Sequence, residues 1–183
     1  MRSLGGTAET LERNTRTEIE GGVAELNSYL KEIAQLNQEL LKKSSDAEQP
    51  MQLLDRRDAV LKKISETLGV TVKLTTGGAA AVYAGDSAAG VALVDKGTAH
   101  LVSAQFDATD YGRVQFVLDA GSIPSSLPTV RNGTLGGLMT FRSQGLGQAT
   151  DRLDAIALAF GRGVNQLFRD GLDSLGQIGR AHV

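Results

Sequence analysis

Apolar residues recur every three or four positions in three stretches of this chain, and that spacing predicts three long helices. The first helix is expected from about Glu18 to Lys43. The second is expected from Pro50 to about Leu68, because proline suits the first turn of a helix and Gly69 can adopt the left-handed conformation that ends one. The third is expected from Leu135 to Phe168. These helices are expected to pack against one another, since isolated helices are marginal in water.

Between the second and third helices the pattern alternates between apolar and polar residues, as it does in half-buried strands. Glycine, aspartate and serine separate the short apolar runs, so each run is expected to form one strand. The expected strands are 70–75, 80–84, 91–94, 99–103 and 111–118, followed by a loop at 121–128. Their spacing of roughly ten residues predicts an antiparallel meander.

The order of these elements predicts an α+β fold, namely an elongated antiparallel bundle of long helices with an inserted antiparallel β domain. The helical bundle domain is expected to comprise residues 10–69 and 129–170, and the inserted β-rich domain residues 70–128. Residues 171–183 contain several glycines and are expected to form a loose C-terminal tail.

Polar residues interrupt the apolar seams of the first and third helices. Asn37 breaks the heptad seam of the first helix, and Arg142 occupies a seam position of the third. A single polar residue in such a seam commonly fixes the register of neighbouring helices at a cost in stability. Asn37 and Arg142 are therefore predicted to be packing and register residues. The remaining seam of the first helix consists of Ile19, Val23, Leu26, Leu30, Ile33 and Leu40.

The second helix carries a run of charges, Asp55-Arg56-Arg57-Asp58, within an otherwise apolar pattern. Asp55 and Asp58 share one helix face, which a pair of catalytic carboxylates could use. The two arginines between them favour the ionised form of both carboxylates, and this argues against acid catalysis. Asp55 or Asp58 is instead expected to pair across the bundle with Arg142, because a guanidinium suits bidentate pairing. Such a pair would set the register of two helices more than it would add stability.

The composition narrows the classes of function that remain. The chain has 183 residues, with 19 Lys and Arg against 21 Asp and Glu, and it has no Cys. A net charge of −2 provides no basic excess for binding nucleic acid. Without Cys there are no disulfides, thiol nucleophiles or thiolate metal sites. Aromatic residues make up only 4%, so the core must be mostly aliphatic, which suits packed helices better than a deep enzyme pocket.

Other chemical motifs are also missing from the sequence. No apolar run approaches the length that spans a bilayer, and the first residues lack the apolar region of a secretory signal peptide. His100 and His182 have no neighbouring metal-ligand pattern, and Ser143 follows helical spacing instead of a strand-to-helix elbow. The glycines at 133–137 are not followed by the lysine of a phosphate-binding loop. No catalytic, cofactor-binding or metal site is therefore expected.

Three functions remain open from the residues alone. A structural assembly protein agrees with the heptad seams and with the missing catalytic motifs. An extracytoplasmic ligand-binding or adhesive module, with helices flanking the β domain, is the alternative, and it would need a ligand pocket or a nearby membrane segment. An enzyme would depend on Asp55 and Asp58.

Five short motifs occur in an order that resembles a known family. They are Ile33-Ala-Gln-Leu-Asn37, Gln52-Leu-Leu-Asp-Arg-Arg-Asp58, Gly136-Gly-Leu-Met-Thr-Phe-Arg142, Leu153-Asp-Ala-Ile-Ala157 and Val164-Asn165. Each motif alone is only a helical fragment, but their order and spacing around a β insert resemble the hook-associated protein 1 family of bacterial flagella. The resemblance covers about residues 10–176.

The resemblance implies a non-catalytic structural component of the flagellum, which joins the hook to the filament as a subunit of a hook-associated ring. It implies an extracellular location, reached by type III export without a cleaved signal peptide. The implied partners of the full-length protein are copies of itself, the hook protein, the next hook-associated protein and an export chaperone, with no nucleic acid, membrane or cofactor. In the family the helices belong to the wall of the tube, and Asp55, Asp58 and Arg142 are then packing residues.

The resemblance does not extend to the terminal coiled-coil segments of flagellar axial proteins. The chain is therefore expected to be an excised middle fragment of such a protein, which on its own is monomeric.

Overall fold

Long helices and two small sheets make up the part of the chain that the structure describes. The structure, a computed structural model, describes residues 2–43, 50–75, 77–88, 90–107, 110, 112–119, 125–127 and 131–170. The helices are α1 (Arg2–Lys43), α2 (Met51–Thr67), α3 (Gly133–Thr140) and α4 (Gln148–Asp170), and a π-helical segment (Phe141–Gly147) joins α3 to α4. The strands are β1 (Val70–Leu74), β2 (Ala80–Ala84), β3 (Ala92–Asp95), β4 (Thr98–Ala99), β5 (Leu101–Phe106), β6 (Val114–Asp119) and β7 (Ser125–Ser126). The predicted α+β class is confirmed.

Helix α1 begins at Arg2, so the predicted start near Glu18 is wrong. The apolar spacing stops at Ile19 because polar side chains occupy inward positions of the preceding turns. Thr15 is buried, and its hydroxyl donates to the Leu11 carbonyl oxygen at 2.7 Å. Glu12 faces the guanidinium of Arg142. These inward polar residues carry no apolar periodicity, which is why the spacing underestimated the helix.

Helix α2 lies antiparallel to α1 and is fixed to it by polar contacts at the surface. Arg56 forms a 2.7 Å ion pair with Glu32 of α1. Further along α2, the ammonium of Lys63 lies 5.3 Å from the centre of the Tyr29 ring. Arg56 and Lys63 are both exposed, so these contacts lie on the solvent side of the helix pair. The apolar residues of α2 lie on its other side and pack in the core.

The prediction that Gly69 ends α2 in the left-handed conformation is wrong, because Gly69 does not have a positive φ. The helix ends at Thr67, and its C-cap residue Leu68 has an extended backbone (φ −138°, ψ 137°) and an N–H that donates to the Ile64 carbonyl oxygen at 2.8 Å. Gly69 is instead needed at a close approach, because a Cβ atom there would lie 3.0 Å from the Cβ of Asn132. Its N–H donates to the Asn132 carbonyl oxygen at 3.1 Å, and this bond ties the start of β1 to the start of α3.

The strands of the described residues form two antiparallel sheets instead of one meander. The first sheet has the order β1-β2-β3-β4 and the second β5-β6-β7. The predicted strand at 99–103 is therefore wrong as a unit, because β4 pairs with β3 and β5 pairs with β6. His100 separates the two, and its N–H donates to the Leu93 carbonyl oxygen at 2.8 Å. The chain thus changes sheets at a single residue.

One apolar cluster joins the helices to both sheets. Helix α1 runs through the middle of this cluster, and several of its apolar side chains are completely buried. Each large aliphatic side chain buried in this way stabilises the fold by about 1.5–3 kcal/mol. The cluster includes Ile19, Leu26, Leu30 and Ile33 of α1, Ile64 of α2, Val82 and Leu93 of the first sheet, Leu118 of the second sheet and Leu135 of α3.

Some predictions concern residues outside this description. The predicted tail at 171–183 lies outside the described residues, as do 121–124 and 128 of the predicted loop. Ser125–Ser126 of that loop form β7, which the sequence reading missed. Among the described helices, none combines the length and the apolar composition that crossing a bilayer requires. The domain boundaries at 10–69, 70–128 and 129–170 stay predictions.

Two neighbouring glycines of α3 have opposite surroundings. A Cβ atom on Gly136 would lie 2.6 Å from the carbonyl carbon of Arg131, which is closer than real contacts allow. A Cβ atom on Gly137 would meet nothing within 4 Å. Gly136 is buried and Gly137 is exposed. Only Gly136 is therefore required by packing.

These surroundings predict opposite effects of the same substitution. Gly137→Ala should raise the free energy of unfolding by about 0.5–1 kcal/mol, because alanine is the better helix former. Gly136→Ala should lower it by about 1–3 kcal/mol, because the backbone at Arg131 must move. Urea unfolding followed by circular dichroism measures both changes. Stabilisation by both substitutions would contradict the close packing of α3 on the segment that precedes it.

Candidate functional site at the helix–sheet junction

Asn37, the polar interruption of the first seam, connects α1 to the first sheet. Its side chain is completely buried. The amide nitrogen donates to the carbonyl oxygens of Ala80, at 2.8 Å, and of Lys96, while the amide oxygen accepts from the Ala80 N–H at 2.8 Å. A buried amide with three partners is a satisfied group, so Asn37 does not weaken the core as an unpaired amide would.

The same end of α1 also holds the turn between β3 and β4. Lys96 lies in this turn with a φ of 51°, a left-handed conformation that is costly for a residue with a side chain. Its carbonyl oxygen accepts from Asn37, and the carbonyl oxygen of the next residue, Gly97, accepts from Gln38 Nε2 at 2.9 Å. Two side chains of α1 thus fix the conformation of the turn.

Asn27 makes a matching contact with the second sheet. Its amide nitrogen donates to the Val102 carbonyl oxygen at 2.8 Å, and its amide oxygen accepts from the Val102 N–H at 2.8 Å. Val102 belongs to β5, which lies at one edge of its sheet. Edge strands leave backbone donors and acceptors without a neighbouring strand. Asn27 takes the place of that strand at one residue.

We call Asn27 and Asn37 the asparagine clamps. A carboxamide presents one donor and one acceptor side by side, as a peptide group does. The backbone of α1 cannot make such contacts, because its own N–H and C=O groups bond within the helix. Side-chain amides are therefore the means by which α1 forms paired hydrogen bonds with each of the two sheets.

The charged run of α2 forms a third connection between helix and sheet. Arg57 is only 6% exposed and donates to the carbonyl oxygen of Gly78, in the turn between β1 and β2. It also donates from Nε and Nη2 to Asp58 Oδ1, at 2.8 and 2.6 Å. Gly78 has a φ of 83°, and a Cβ there would lie 2.9 Å from Leu54 Cδ2. Asp58 thus neutralises a buried arginine that holds a tight turn.

The predicted pairing of Asp55 or Asp58 with Arg142 is wrong. Asp58 turns back to its neighbour Arg57, and Asp55 is exposed on α2. Arg142 instead pairs with Glu12, because α3 and the π-helical segment run along the N-terminal half of α1. The prediction assumed that α2 was the neighbour of Arg142, since the start of α1 before Glu18 was not expected to be helical.

Arg142 is completely buried at the start of the π-helical segment. Its Nη2 donates to Glu12 Oε1 at 2.8 Å, and its Nη1 donates to the Glu12 carbonyl oxygen at 3.4 Å. Within the described part of the chain its Nε has no hydrogen-bond partner. The Glu12 side chain is 15% exposed, so the pair is largely removed from water. Loss of either charge would leave the other nearly unsolvated.

The last residue of β5 lies against two guanidinium groups. The guanidinium carbon of Arg142 lies 5.0 Å from the centre of the Phe106 ring, and that of Arg16 lies 4.6 Å from it. Both distances are within the range of cation–π attraction. Phe106 thereby connects the second sheet to α1 and to the π-helical segment at one point.

The pKa of Tyr29, on α1, departs from its usual value. Its hydroxyl donates to Glu25 Oε1 one turn earlier on α1. The hydrogen bond to the Glu25 carboxylate, together with burial and the charges of Glu25, Glu32 and Glu66, raises the pKa of Tyr29. The phenol therefore stays neutral and hydrogen-bonded beside Lys63 over the physiological range.

An open cleft of about 760 Å³ lies between the β5–β6 connection and the π-helical segment. Its charged lining residues are Asp110, Arg113, Arg131 and Asp151, and each of them is exposed. Small-molecule sites usually enclose their ligand and place a few polar groups within an apolar pocket. This cleft is open, and its charged residues lie at the surface instead of within an apolar pocket. Among the described residues, moreover, no group of three or more His, Asp or Glu could hold a metal ion.

Several residues of this junction were missed by the sequence reading. Arg57 stands in helical register with Val60, Ile64 and Thr67, the other buried positions of α2, so its spacing could have identified it as a core residue. Asn27 and Glu12 also lie at helical spacing to buried residues of α1, but this spacing does not reveal partners on a distant strand or helix. The register role predicted for Asn37, Asp55, Asp58 and Arg142 stays a prediction.

Comparison with known proteins adds independent information. A model of the flagellar hook-associated protein FlgK helical domain matches residues 1–181. Flagellar hook-associated protein 1 of Escherichia coli K12 is 32% identical over 166 residues, which cover 88% of this chain and 30% of that protein. The protein of the same name from Salmonella typhimurium LT2 is 35% identical over 167 residues, with the same coverage. The chain thus spans about 30% of the length of these relatives.

A solved structure has the same fold. The flagellar hook junction protein FlgK from Burkholderia pseudomallei matches 97% of this chain with a TM-score of 0.80 and 30% identity. The match covers 33% of that longer chain. The helices and both sheets described above therefore have a counterpart within a larger protein.

The clamp geometry predicts that Asn37→Asp is severely destabilising. The substitution replaces a donor by a carboxylate oxygen that faces the carbonyl oxygens of Ala80 and Lys96 in a buried site. We expect a loss of about 3 kcal/mol or more in the free energy of unfolding. Gln38→Glu is the control, because it makes the same chemical change at the next residue, which is exposed. It should cost less than about 1 kcal/mol, and equal losses in urea unfolding would contradict the clamp.

The buried ion pair predicts a second contrast. Glu12→Gln leaves the completely buried Arg142 without a counter-charge and should cost about 3–5 kcal/mol. Glu20→Gln removes the partner of Arg16 in an exposed pair on the same helix, and should cost about 0.5 kcal/mol or less. Thermal unfolding of the two variants side by side measures the difference. Similar melting temperatures would show that Arg142 does not depend on Glu12.

Proposed function

This chain belongs to the family of the flagellar hook-associated protein FlgK, and we propose that it is part of a structural subunit that joins the hook to the filament of a bacterial flagellum. The observation that carries the proposal is the shared fold, with a TM-score of 0.80 to a flagellar hook junction protein over 97% of this chain. Because the chain spans about 30% of its curated relatives, the proposal concerns the longer protein to which such a domain belongs.

An apolar face on α4 supports a role in assembly. It consists of residues at helical spacing, and three of them are more than half exposed: Ile156 at 55%, Phe160 at 64% and Leu167 at 74%. Leu153, which precedes them, and Val164, which lies between Phe160 and Leu167, are at positions of the same face. Contiguous apolar surface of this kind usually packs against other protein. In the proposed ring the partners are copies of the subunit, the hook protein and the next hook-associated protein.

We propose that the subunit is not an enzyme. The charged residues with the most unusual positions serve structural contacts, since Arg57 holds a turn and Arg142 joins α1 to the π-helical segment. Asp58, one of the two carboxylates considered for catalysis, neutralises Arg57. Arg57, Arg142 and Asp58 would each have to give up these contacts in order to take part in catalysis.

We also propose how the parts of the chain are placed in the flagellum. The predicted helical bundle domain, residues 10–69 and 129–170, belongs to the wall of the tube, and the predicted β-rich domain, residues 70–128, faces outward. The subunit reaches the outside of the cell by flagellar type III export, with an export chaperone and without a cleaved signal peptide. The clamps support this placement, because they hold the strands to the helices that would bear the load.

The test is to delete the gene in the bacterium that carries it and to examine the cells by electron microscopy. Cells without the subunit should build hooks that carry no filaments, because filament subunits have nothing to add to. Complementation with the intact gene should restore the filaments, and so should a gene with the tolerated Gly137→Ala substitution. Immunogold label against residues 70–128 should form a band between hook and filament.

Two results would contradict the proposal. Deleted cells that keep attached filaments would show that the subunit does not join the two structures. Label along the cell body, with none on the flagella, would favour the alternative of an adhesive or ligand-binding module.

A further inference from the structure

Asn132 is the residue before the first turn of α3, and its side chain does not cap the helix. Its backbone is extended (φ −111°, ψ 158°), it occupies the capping position, and its carboxamide makes no capping hydrogen bond. The residue is exposed. An asparagine at this position usually accepts a bond from the first turn of the helix. The carboxamide of Asn132 is therefore open to water and to its own backbone.

The residue that follows Asn132 can only be glycine. Gly133 has a φ of 80°, a conformation that favours glycine. A Cβ atom there would also lie 2.7 Å from the carbonyl carbon and the carbonyl oxygen of Thr67. The close packing of α3 on the end of α2 thus requires a glycine directly after the exposed Asn132.

We propose that Asn132 is a site of spontaneous deamidation, with water as the co-reactant. The backbone nitrogen of Gly133 loses its proton and attacks Cγ of Asn132. The bond from Cγ to the amide nitrogen breaks, ammonia leaves and a cyclic succinimide forms. Water then opens either carbonyl of the ring, which gives aspartate or isoaspartate at position 132. The net reaction consumes one water and releases one ammonia.

The position of Gly133 makes its nitrogen available for this attack. Gly133 is the first residue of α3, and the first N–H groups of a helix have no carbonyl partner within the helix. Glycine also has no side chain that would shield the nitrogen. The backbone of Asn132 must rotate from its extended ψ to bring this nitrogen to Cγ. A single hydrogen bond, from Gly69 N–H to the Asn132 carbonyl oxygen at 3.1 Å, opposes the rotation.

The asparagine clamps provide an internal comparison. Asn27 and Asn37 each hold both ends of their carboxamide in hydrogen bonds to strands. Both also lie inside α1, where the backbone cannot rotate without breaking the helix. Neither is followed by glycine. They should therefore keep their amides while Asn132 loses its own.

The two products have different effects on the corner. Aspartate at position 132 places a negative charge at the N-terminus of α3, where the helix dipole favours it. Isoaspartate inserts a methylene into the main chain between the Gly69 contact and α3. Ageing would therefore give two populations, one with an intact corner and one with the α2–β1 corner separated from α3.

The experiment is a time course on the folded 183-residue chain at mildly alkaline pH and 37 °C, followed by trypsin digestion and mass spectrometry. Trypsin releases Asn132 in the peptide Asn132–Arg142, Asn27 in Thr17–Lys31 and Asn37 in Glu32–Lys42. We expect the mass increase of amide hydrolysis in the first peptide to accumulate several-fold faster than in the other two. It should appear as two chromatographic species of equal mass, and an isoaspartate methyltransferase should label only one of them.

A rate at Asn132 no higher than at Asn27 and Asn37, with circular dichroism showing the fold intact, would overturn the inference. The variant Asn132→Asp carries the aspartate product from the start, so it should unfold at the same or a higher urea concentration and should gain no mass in this peptide. A mass gain of the same size in the variant would overturn the inference, because the peptide contains no other carboxamide and the gain could not come from amide hydrolysis. The inference concerns the chemistry of this corner and stands independently of the flagellar role.

Discussion

The structure depends on hydrogen bonds between side chains of α1 and the backbone of the two sheets. The backbone groups of α1 are used within the helix, so its backbone offers the neighbouring strands nothing. Apolar burial between α1 and the sheets is strong but not directional, and it would allow the strands to slide along the helix. Asn27 and Asn37 fix the position of the strands along the helix, because their hydrogen bonds are directional. Asn27 pairs with both backbone groups of Val102, and Asn37 pairs with both backbone groups of Ala80. The clamps thus fix two sheets at defined points on one rod.

Buried arginines extend the same principle to the remaining elements. Arg57 fixes the β1–β2 turn to α2, and Arg142 fixes the π-helical segment to α1 through Glu12. Buried ion pairs contribute little net stability, since desolvation offsets most of their attraction, but they are costly to break. Their effect is to exclude alternative packings.

The sequence predicted the fold class and most helices and strands, because these depend on apolar periodicity. It identified Asn37 and Arg142 as unusual because each stands where an apolar residue was expected. It could not identify their partners. Ala80 and Lys96 contact Asn37 through backbone atoms, which carry no sequence signal. Glu12 lies in turns of α1 whose inward residues are polar, so the start of α1 was missed and Arg142 was assigned to the wrong helix. Errors in the site thus followed directly from an error in one helix boundary.

The π-helical segment explains why the last helix also departs from a simple pattern. A straight α-helix rotates by about 100° per residue, and a π-helical turn contains an additional residue. The seven residues Phe141–Gly147 therefore change the rotation of α4 relative to α3. Leu135 and Arg142 face α1 before and at the start of this segment, and the buried Leu146 lies within it. A Cβ on Gly147 would lie 3.3 Å from the Cα of Gly112, so the segment packs directly on the connection between β5 and β6. The contacts of Arg142 with Glu12 and Phe106 hold the start of this segment, so the contacts that join the second sheet to α1 also help to orient the exposed apolar face of α4.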